Sequence, residues 1–317
     1  MVKTPIDLEG VPETLLWNLY HRAVEARRPR AVLHDPWAVE VVDAIDYPFQ
    51  DRFGAGARAQ WQALRARCFD DAVRTFLRDH PDGTVVALGE GLETQFWRVD
   101  NGRVRWVGVD LPETVDVRRR LLPDGPRQRT FAGSALDFRW MDEVDPSHGV
   151  LLTAQGLLMY LEPEAVTGLI VACAERFPGA TLVFDAVPGW FSARTLRGEM
   201  RTAGYTSPPT PWALEPRQLD SVRALHPGIL DVEELTPARG RGLLDGVVLP
   251  LLYRTILRNL KPISIFRVRF GGEGGLLGRL PSDGPFLANP KGHLPTNGPL
   301  QVRVLSGCCG GAFPLPP

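Results

Sequence analysis

The spacing of apolar residues divides the chain into a helical first part and an alternating second part. From Glu13 to Arg27 the apolar side chains Leu15, Leu16, Leu19, Tyr20, Ala23 and Val24 recur at helical steps, which predicts an amphipathic helix ended by Pro29. His34-Asp35-Pro36 opens a second helix, with Asp35 as N-cap and Pro36 at the first helical position, where a missing N–H costs nothing. Gln60 to Arg78 is a third amphipathic stretch, closed by the turn His80-Pro81-Asp82-Gly83. From Thr84 the period changes. Short apolar runs at Thr84–Leu88, Val104–Val109, Gly149–Thr153 and Thr181–Asp185 alternate with helical segments at Thr94–Val99, Pro112–Leu121 and Glu162–Phe177. Continuous apolar strands separated by helices predict an α/β fold, a doubly wound and mostly parallel sheet covered on both faces.

Residues 188–226 break the rhythm with Pro208, Pro209, Pro211 and Pro216, and read as an insert lying over the sheet. Leu230–Leu235 and Ile263–Phe270 are two late strands, the second with the better pattern. The expected organisation is one domain over 1–270, with 1–83 as a helical amino-terminal lid and 188–226 as a second lid segment. Beyond it, 271–317 is dense in Gly and Pro without any sustained period, so it is expected to be disordered and to take no part in the chemistry.

Charge narrows the partners. Lys and Arg total 36 against 37 Asp and Glu, so no global positive field favours nucleic acid or an anionic membrane. The four cysteines form no C-x-x-C or Cys/His cluster, which argues against a zinc or disulfide framework. The start has no basic patch followed by an apolar core, and the longest apolar stretch, Gly246–Tyr253, contains Pro250 and falls far short of the ~20 residues a membrane span needs. A cytoplasmic protein with a small-molecule substrate is expected.

The candidate chemistry begins at Gly89-Glu90-Gly91, directly after a predicted strand. A glycine there lets backbone approach a nucleotide at a sharp turn. Asp110 ends the next strand, about 20 residues on, the distance at which an acid accepts ribose hydroxyls. A dinucleotide would want a third glycine at this loop. Thr94 stands there instead, and Glu90 and Glu93 add negative charge where phosphates would lie. A cofactor with an adenosine, no phosphate and a sulfonium cation suits the loop better: S-adenosyl-L-methionine.

Leu88-Gly89-Glu90-Gly91-Leu92-Glu93-Thr94, then Trp106-Val107-Gly108-Val109-Asp110-Leu111-Pro112, then Gln155-Gly156-Leu157-Leu158-Met159-Tyr160-Leu161 resemble the leucine carboxyl methyltransferase superfamily, closest to its tetracenomycin-type polyketide O-methyltransferases. The resemblance runs from about Pro12 to Phe270. It implies a seven-stranded sheet and S-adenosylmethionine-dependent methyl transfer to a hydroxyl or carboxyl oxygen of a small, polyketide-like molecule. The alternatives are a protein carboxyl methyltransferase and a non-catalytic cofactor-binding relative. The resemblance also implies cofactor contacts. Arg65 would hold the methionine carboxylate, and Gly89 would lie against the methionine part, in the loop that Gly91 completes. Asp110 would read the ribose, and Ala135 and Leu136 would flank the adenine. Gln155 would face the methionine ammonium.

This chain departs from the resemblance at several of these positions. Gln155 replaces a usual Glu, Glu93 a usual Asp and Gln95 a usual Arg, while Ala135 offers backbone contacts only. A neutral carbonyl is a weaker acceptor than a carboxylate, so Gln155→Glu is expected to tighten the cofactor. No catalytic base stands out. His226 reads as a solvated loop residue, His21 and His34 as surface or capping residues, and His148 as facing water. Tyr160 lies near the expected methyl group, as a core aromatic or a substrate contact. Arg22 is placed equally well toward the cofactor or solvent. Trp190, Phe191, Tyr205 and Trp212 either line an apolar pocket or pack the insert. Asp70, Asp71, Asp142, Glu143 and Asp145 match no metal loop and read as helix-end charges and solvated turns.

Overall fold

Short apolar runs bounded by turns must find partners for their backbone groups, and in the computed structural model they do so in one sheet. The structure describes residues 3–6, 13–201, 204–255 and 261–272, all within one unit, Met1–Arg279. The expectation for 271–317 lies outside the described residues except at its first two positions. There Gly271 donates to the Gly228 carbonyl at 2.8 Å and accepts from the Gly179 N–H at 2.9 Å.

The amino-terminal part holds a two-residue parallel pair, β1 (Thr4–Pro5) and β2 (Ile45–Asp46), among helices α1 (Glu13–Ala26), α2 (Pro36–Ala44), α3 (Phe49–Phe53) and α4 (Ala59–Asp79). Asp35 caps α2 as expected, its Oδ1 accepting from the Ala38 N–H at 3.1 Å. The main strands are β3 (Thr84–Leu88), β4 (Arg105–Asp110), β5 (Gln128–Ala132), β6 (Val150–Ala154), β7 (Thr181–Ala186), β8 (Ile229–Leu235) and β9 (Ser264–Phe270). Their order is β5-β4-β3-β6-β7-β9-β8, parallel except for β9, which runs antiparallel between β7 and β8. The connecting helices are α5 (Gln95–Val99), α6 (Pro112–Leu121), α7 (Pro163–Arg176), α8 (Gly189–Leu196), α9 (Leu219–Arg223) and α10 (Leu249–Arg254).

Both faces of the sheet are covered, and the two-residue period of a strand decides which side chain meets which layer. Val85 and Ala87 point to the layer of Phe69, Val73 and Leu77 from α4. Val86 and Leu88 point to the opposite layer, with Leu169, Ile170 and Cys173 from α7. Helices α1 to α3 pack elsewhere: Leu16, Leu19, Val41 and Phe49 join Leu92 of the glycine loop and Val117 of α6. The first three helices therefore roof the carboxyl ends of the strands, while α4 is part of the sheet sandwich. Among the described residues no helix is long and apolar enough to cross a membrane.

The chain leaves β3 for β4 and β5 on one side, then returns to β6 on the other side of β3. That reversal opens a crevice at the carboxyl ends of β3 and β6, the place where ligands bind in open α/β sheets. Gly89 and Gln155 are the residues that follow those two strands.

Candidate active site

A cleft at this switch point is lined by Thr14, Leu15, Asn18 and Arg22 of α1, by Ala87 to Glu90, Leu92, Glu93 and Gln95, and by Thr153, Gln155 and Gly156. Gly89 and Gly91 carry φ values of 62° and 55°, in the left-handed region that side chains avoid. A Cβ on Gly91 would collide with Leu15, so the roof helix rests directly on the loop. Asp110 fastens the same loop. Its Oδ2 accepts from the Gly91 N–H at 2.6 Å and its Oδ1 from the Leu111 N–H at 2.8 Å. Burial pushes the Asp110 carboxyl up, and those N–H groups pull it partly back.

The two loop acids do not present free charge to the cleft, contrary to the sequence reading. Glu90 turns under the sheet, accepting from Trp106 Nε1 at 2.8 Å and Arg118 Nη2 at 2.9 Å. Burial nonetheless raises its carboxyl pKa. Arg118 also donates to the carbonyls of Gly91 and Glu93, at 2.8 and 2.7 Å, and so pins the loop from below. Glu93 meets Arg22 at 2.9 Å and Arg98 at 2.8 Å. Burial would raise its carboxyl, but those guanidinium groups prevail and hold it at about 2. Arg98 pairs with Asp70 through both oxygens, at 2.8 and 2.9 Å, and reaches Asp35 at 2.8 Å. Asp70 is thus a fully buried residue inside α4 rather than a helix-end charge. Arg22, also placed on Asp35 and the Leu92 carbonyl, is buried and not in solvent.

On the β6 side, Gln155 Nε2 donates to Glu93 Oε2 at 3.0 Å. A carboxylate accepts only, so this contact fixes which end of the amide is nitrogen. The other end, Oε1, is buried in the cleft wall with no hydrogen-bond partner. Asp185, at the carboxyl end of β7, binds the Gly156 N–H at 2.7 Å and pairs with Arg65. Gly156 has φ 71°, and Arg65 Nη2 lies 2.8 Å from where a Cβ would stand on it. Tyr160 follows, hydrogen-bonded to Thr14, and burial pushes its hydroxyl up to about 12.

Of the expected cofactor contacts, Gly89 and Gln155 line the cleft, while Gly91 and Asp110 are bonded to each other in the loop beside it and Arg65 lies behind Gly156, paired with Asp185. Ala135 and Leu136 stand on the next loop, beyond the cleft-lining residues. Their backbone is engaged locally: the Ala135 carbonyl accepts from Trp140 Nε1 at 2.9 Å, and the Leu136 N–H donates to Ser134 Oγ at 3.1 Å. Leu136 keeps an exposed side chain. The aromatics of the insert do not converge. Trp212 packs on Phe184 at 5.8 Å, Tyr205 on Phe53 at 5.4 Å, and Trp190 on Phe191 at 5.7 Å. His21 is buried against Trp17 rather than at the surface, its Nδ1 bonded to the Trp17 carbonyl at 2.8 Å. The sequence reading missed Asn18, Arg98, Arg118 and Asp185. Only Asp185 left a signal, an acid near the end of an apolar strand beside the strand that Gln155 follows.

A doubly wound sheet with a glycine loop and an acid at the end of the second strand is the arrangement of a nucleotide-cofactor-binding fold. The family model for leucine carboxyl methyltransferase matches residues 16–174, and the chain belongs to that family. The tetracenomycin polyketide synthesis O-methyltransferase TcmP of Streptomyces glaucescens is 35% identical over 186 residues, 58% of this chain and 69% of that protein. The S-adenosyl-L-methionine-dependent methyltransferase dpfgK of Gibberella zeae is 28% identical over 192 residues, 55% of this chain and 64% of that one. A solved O-methyltransferase family protein from Burkholderia thailandensis aligns over 83% of this chain and 71% of its own at 18% identity and a TM-score of 0.41. The chain is an S-adenosylmethionine-dependent methyltransferase. Its cleft suits that cofactor on its own chemistry, since the buried, unpartnered Gln155 Oε1 calls for a donor and the two left-handed glycines keep the loop free of side chains.

Proposed function

We propose that this enzyme methylates an acidic oxygen, a phenol or a carboxyl group, on a small polyketide-like molecule. The observation that carries the reading is the make-up of the cleft: among the described residues no histidine lines it, and its ionisable side chains are tied into pairs. The phenol of Tyr160, hydrogen-bonded to Thr14 of the cleft wall, is raised to about 12 by burial and so keeps its proton. An acceptor that ionises by itself needs no base from the protein. Support also comes from the similarity to TcmP, an O-methyltransferase of tetracenomycin polyketide synthesis.

When bound, the cofactor supplies an electrophilic methyl group on a sulfonium. Arg65, fixed by Asp185, would hold its carboxylate, and Gln155 Oε1 its ammonium. Asp110 would take the ribose. Thr14, Leu15 and Asn18 of α1 close the crevice against water and set the direction from which the acceptor enters. The chain's contribution is orientation and desolvation. Both described cysteines are buried and free, with thiols pushed up to about 12 by burial, in keeping with work in a reducing cytoplasm. Calorimetric titration with S-adenosylmethionine, followed by turnover on matched phenols, aliphatic alcohols and carboxylic acids, tests the proposal. Methylation of phenols or carboxylic acids but not of alcohols is expected. Turnover restricted to alcohols or amines rejects it.

A further inference from the structure

The cluster beneath the glycine loop is one cation short. Three carboxylates, Asp35, Asp70 and Glu93, meet two guanidinium groups, Arg22 and Arg98. Arg98 grips Asp70 with both arms of its fork, and Arg22 and Arg98 both reach Asp35. Arg74 comes no nearer Asp70 than 3.8 Å from a half-exposed position, where water screens it. Glu93 meets both guanidinium groups, so the surplus negative charge belongs to the cluster as a whole. Glu93 is also the acid of the three that lines the cleft. Beside it in the cleft wall is the amide of Gln155, which donates from Nε2 to Glu93 at 3.0 Å and leaves Oε1 buried and unpartnered.

We infer that Glu93 is a positioning residue for the cofactor's ammonium and acts through Gln155. The carboxylate draws on the amide hydrogen, which polarises the carbonyl at the other end, and hydrogen bonds in a chain strengthen one another in a low-dielectric site. A cation on Gln155 Oε1 makes the charges of the cluster even. The same contact holds the amide in the one orientation that offers oxygen rather than nitrogen to a donor. This inference rests on the methyl-donor reading, and it assigns the charge that selects a cationic amino acid tail to the residue hydrogen-bonded to the one that touches it.

The test compares two probes, S-adenosylmethionine and 5′-methylthioadenosine, which keeps the adenosine and methylthio group but has neither ammonium nor carboxylate. Affinities are measured by calorimetry for the wild type, for Glu93→Gln, and for Glu93→Gln combined with Gln155→Glu, with thermal unfolding of each. Glu93→Gln is expected to weaken S-adenosylmethionine about tenfold, the scale of one charge-assisted contact, and to leave 5′-methylthioadenosine within a factor of about two. In the double variant amide and carboxylate exchange places, and S-adenosylmethionine affinity is expected to return to within about threefold of wild type. Equal losses for both probes, no loss, or no recovery in the double variant overturns the inference, because a merely structural Glu93 gives one of those results. If Glu93→Gln does not fold, the double variant decides alone, by the same threefold criterion. A wild type that binds 5′-methylthioadenosine but not S-adenosylmethionine also overturns it, and one that binds neither removes the methyl-donor reading as well.

Discussion

Gln155 and Glu93 meet at 3.0 Å, amide on carboxylate, across 62 positions of sequence. Resemblance alone suggests that an acid at position 155 would strengthen the site. The contact changes that expectation, because Gln155→Glu sets two carboxylates at hydrogen-bond distance and removes the donor between them. One of the two must then take up a proton or the loop must open. The variant is expected to melt below the wild type, with a deficit that grows from pH 6 to pH 9. The added carboxyl has a raised folded-state pKa, so its cost appears above the ordinary carboxylate range and is full once it is forced to ionise. Melting curves across that range check this, and a variant as stable as wild type at pH 9 contradicts it.

Asp110 has two tasks in one carboxylate. Both oxygens accept loop N–H groups, from Gly91 and Leu111, and the ribose role proposed for it uses the remaining lone pairs. Asp110→Asn keeps the shape but leaves one acceptor oxygen for the two N–H groups and the Thr114 side chain that the carboxylate serves. Expected are a loss of roughly 1–3 kcal/mol in stability, for the unsatisfied N–H, and at least about tenfold weaker cofactor binding. Urea unfolding and calorimetry read the two separately. Intact stability would show that the carboxylate is dispensable to the loop.

Arg118 holds the underside of the loop, through Glu90 and the carbonyls of Gly91 and Glu93. Arg118→Met strands a buried carboxylate, and breaking such a pair typically costs about 3–5 kcal/mol. Adding Glu90→Gln removes the orphaned charge and is expected to recover part of the loss. Urea unfolding measures the energies, and faster amide hydrogen exchange at residues 91–94 reports the loosened loop. A single variant within about 1 kcal/mol of wild type, well under that range, excludes the role.

His21 makes stability depend on pH in one direction. Burial outweighs its bond to the Trp17 carbonyl and lowers its pKa from 6.5 to about 4. Between those values the unfolded chain binds a proton that the folded protein does not. Stability is therefore full above pH 6.5 and falls as pH drops toward 4, by about 3 kcal/mol when complete. His21→Phe removes this linkage, so the wild type should lose ground to the variant between pH 7.5 and pH 5. A stability difference that stays constant over that interval would count against a buried neutral imidazole.

The elements legible in the sequence are those whose cause is local. The strand Thr84–Leu88, the helix Pro112–Leu121 and the Asp35 cap with Pro36 follow from period and turn chemistry within a few residues. Strand β5, Gln128-Arg129-Thr130-Phe131-Ala132, gave no apolar run because it is an edge strand with half-exposed side chains, paired to β4 alone. The positions of Gly89 and Asp110 were legible too, since each follows or ends a strand that the pattern already located, whereas Gln155 was marked out only by the resemblance to the family.

The sequence by itself determined the layered sheet, the crevice at its switch point and the class of cofactor, because hydrophobic period and glycine spacing act over a few residues. Only the tertiary structure decided the charge state of the site. Glu93 meets Arg22 from α1 and Gln155 from the end of β6, Asp70 finds Arg98 across 28 positions, and Arg98 finds Asp35 across 63. A buried charge is tolerated only beside its counter-charge, and which counter-charge arrives depends on how helices pack over the loop. A string of residues does not carry that information in any local spacing.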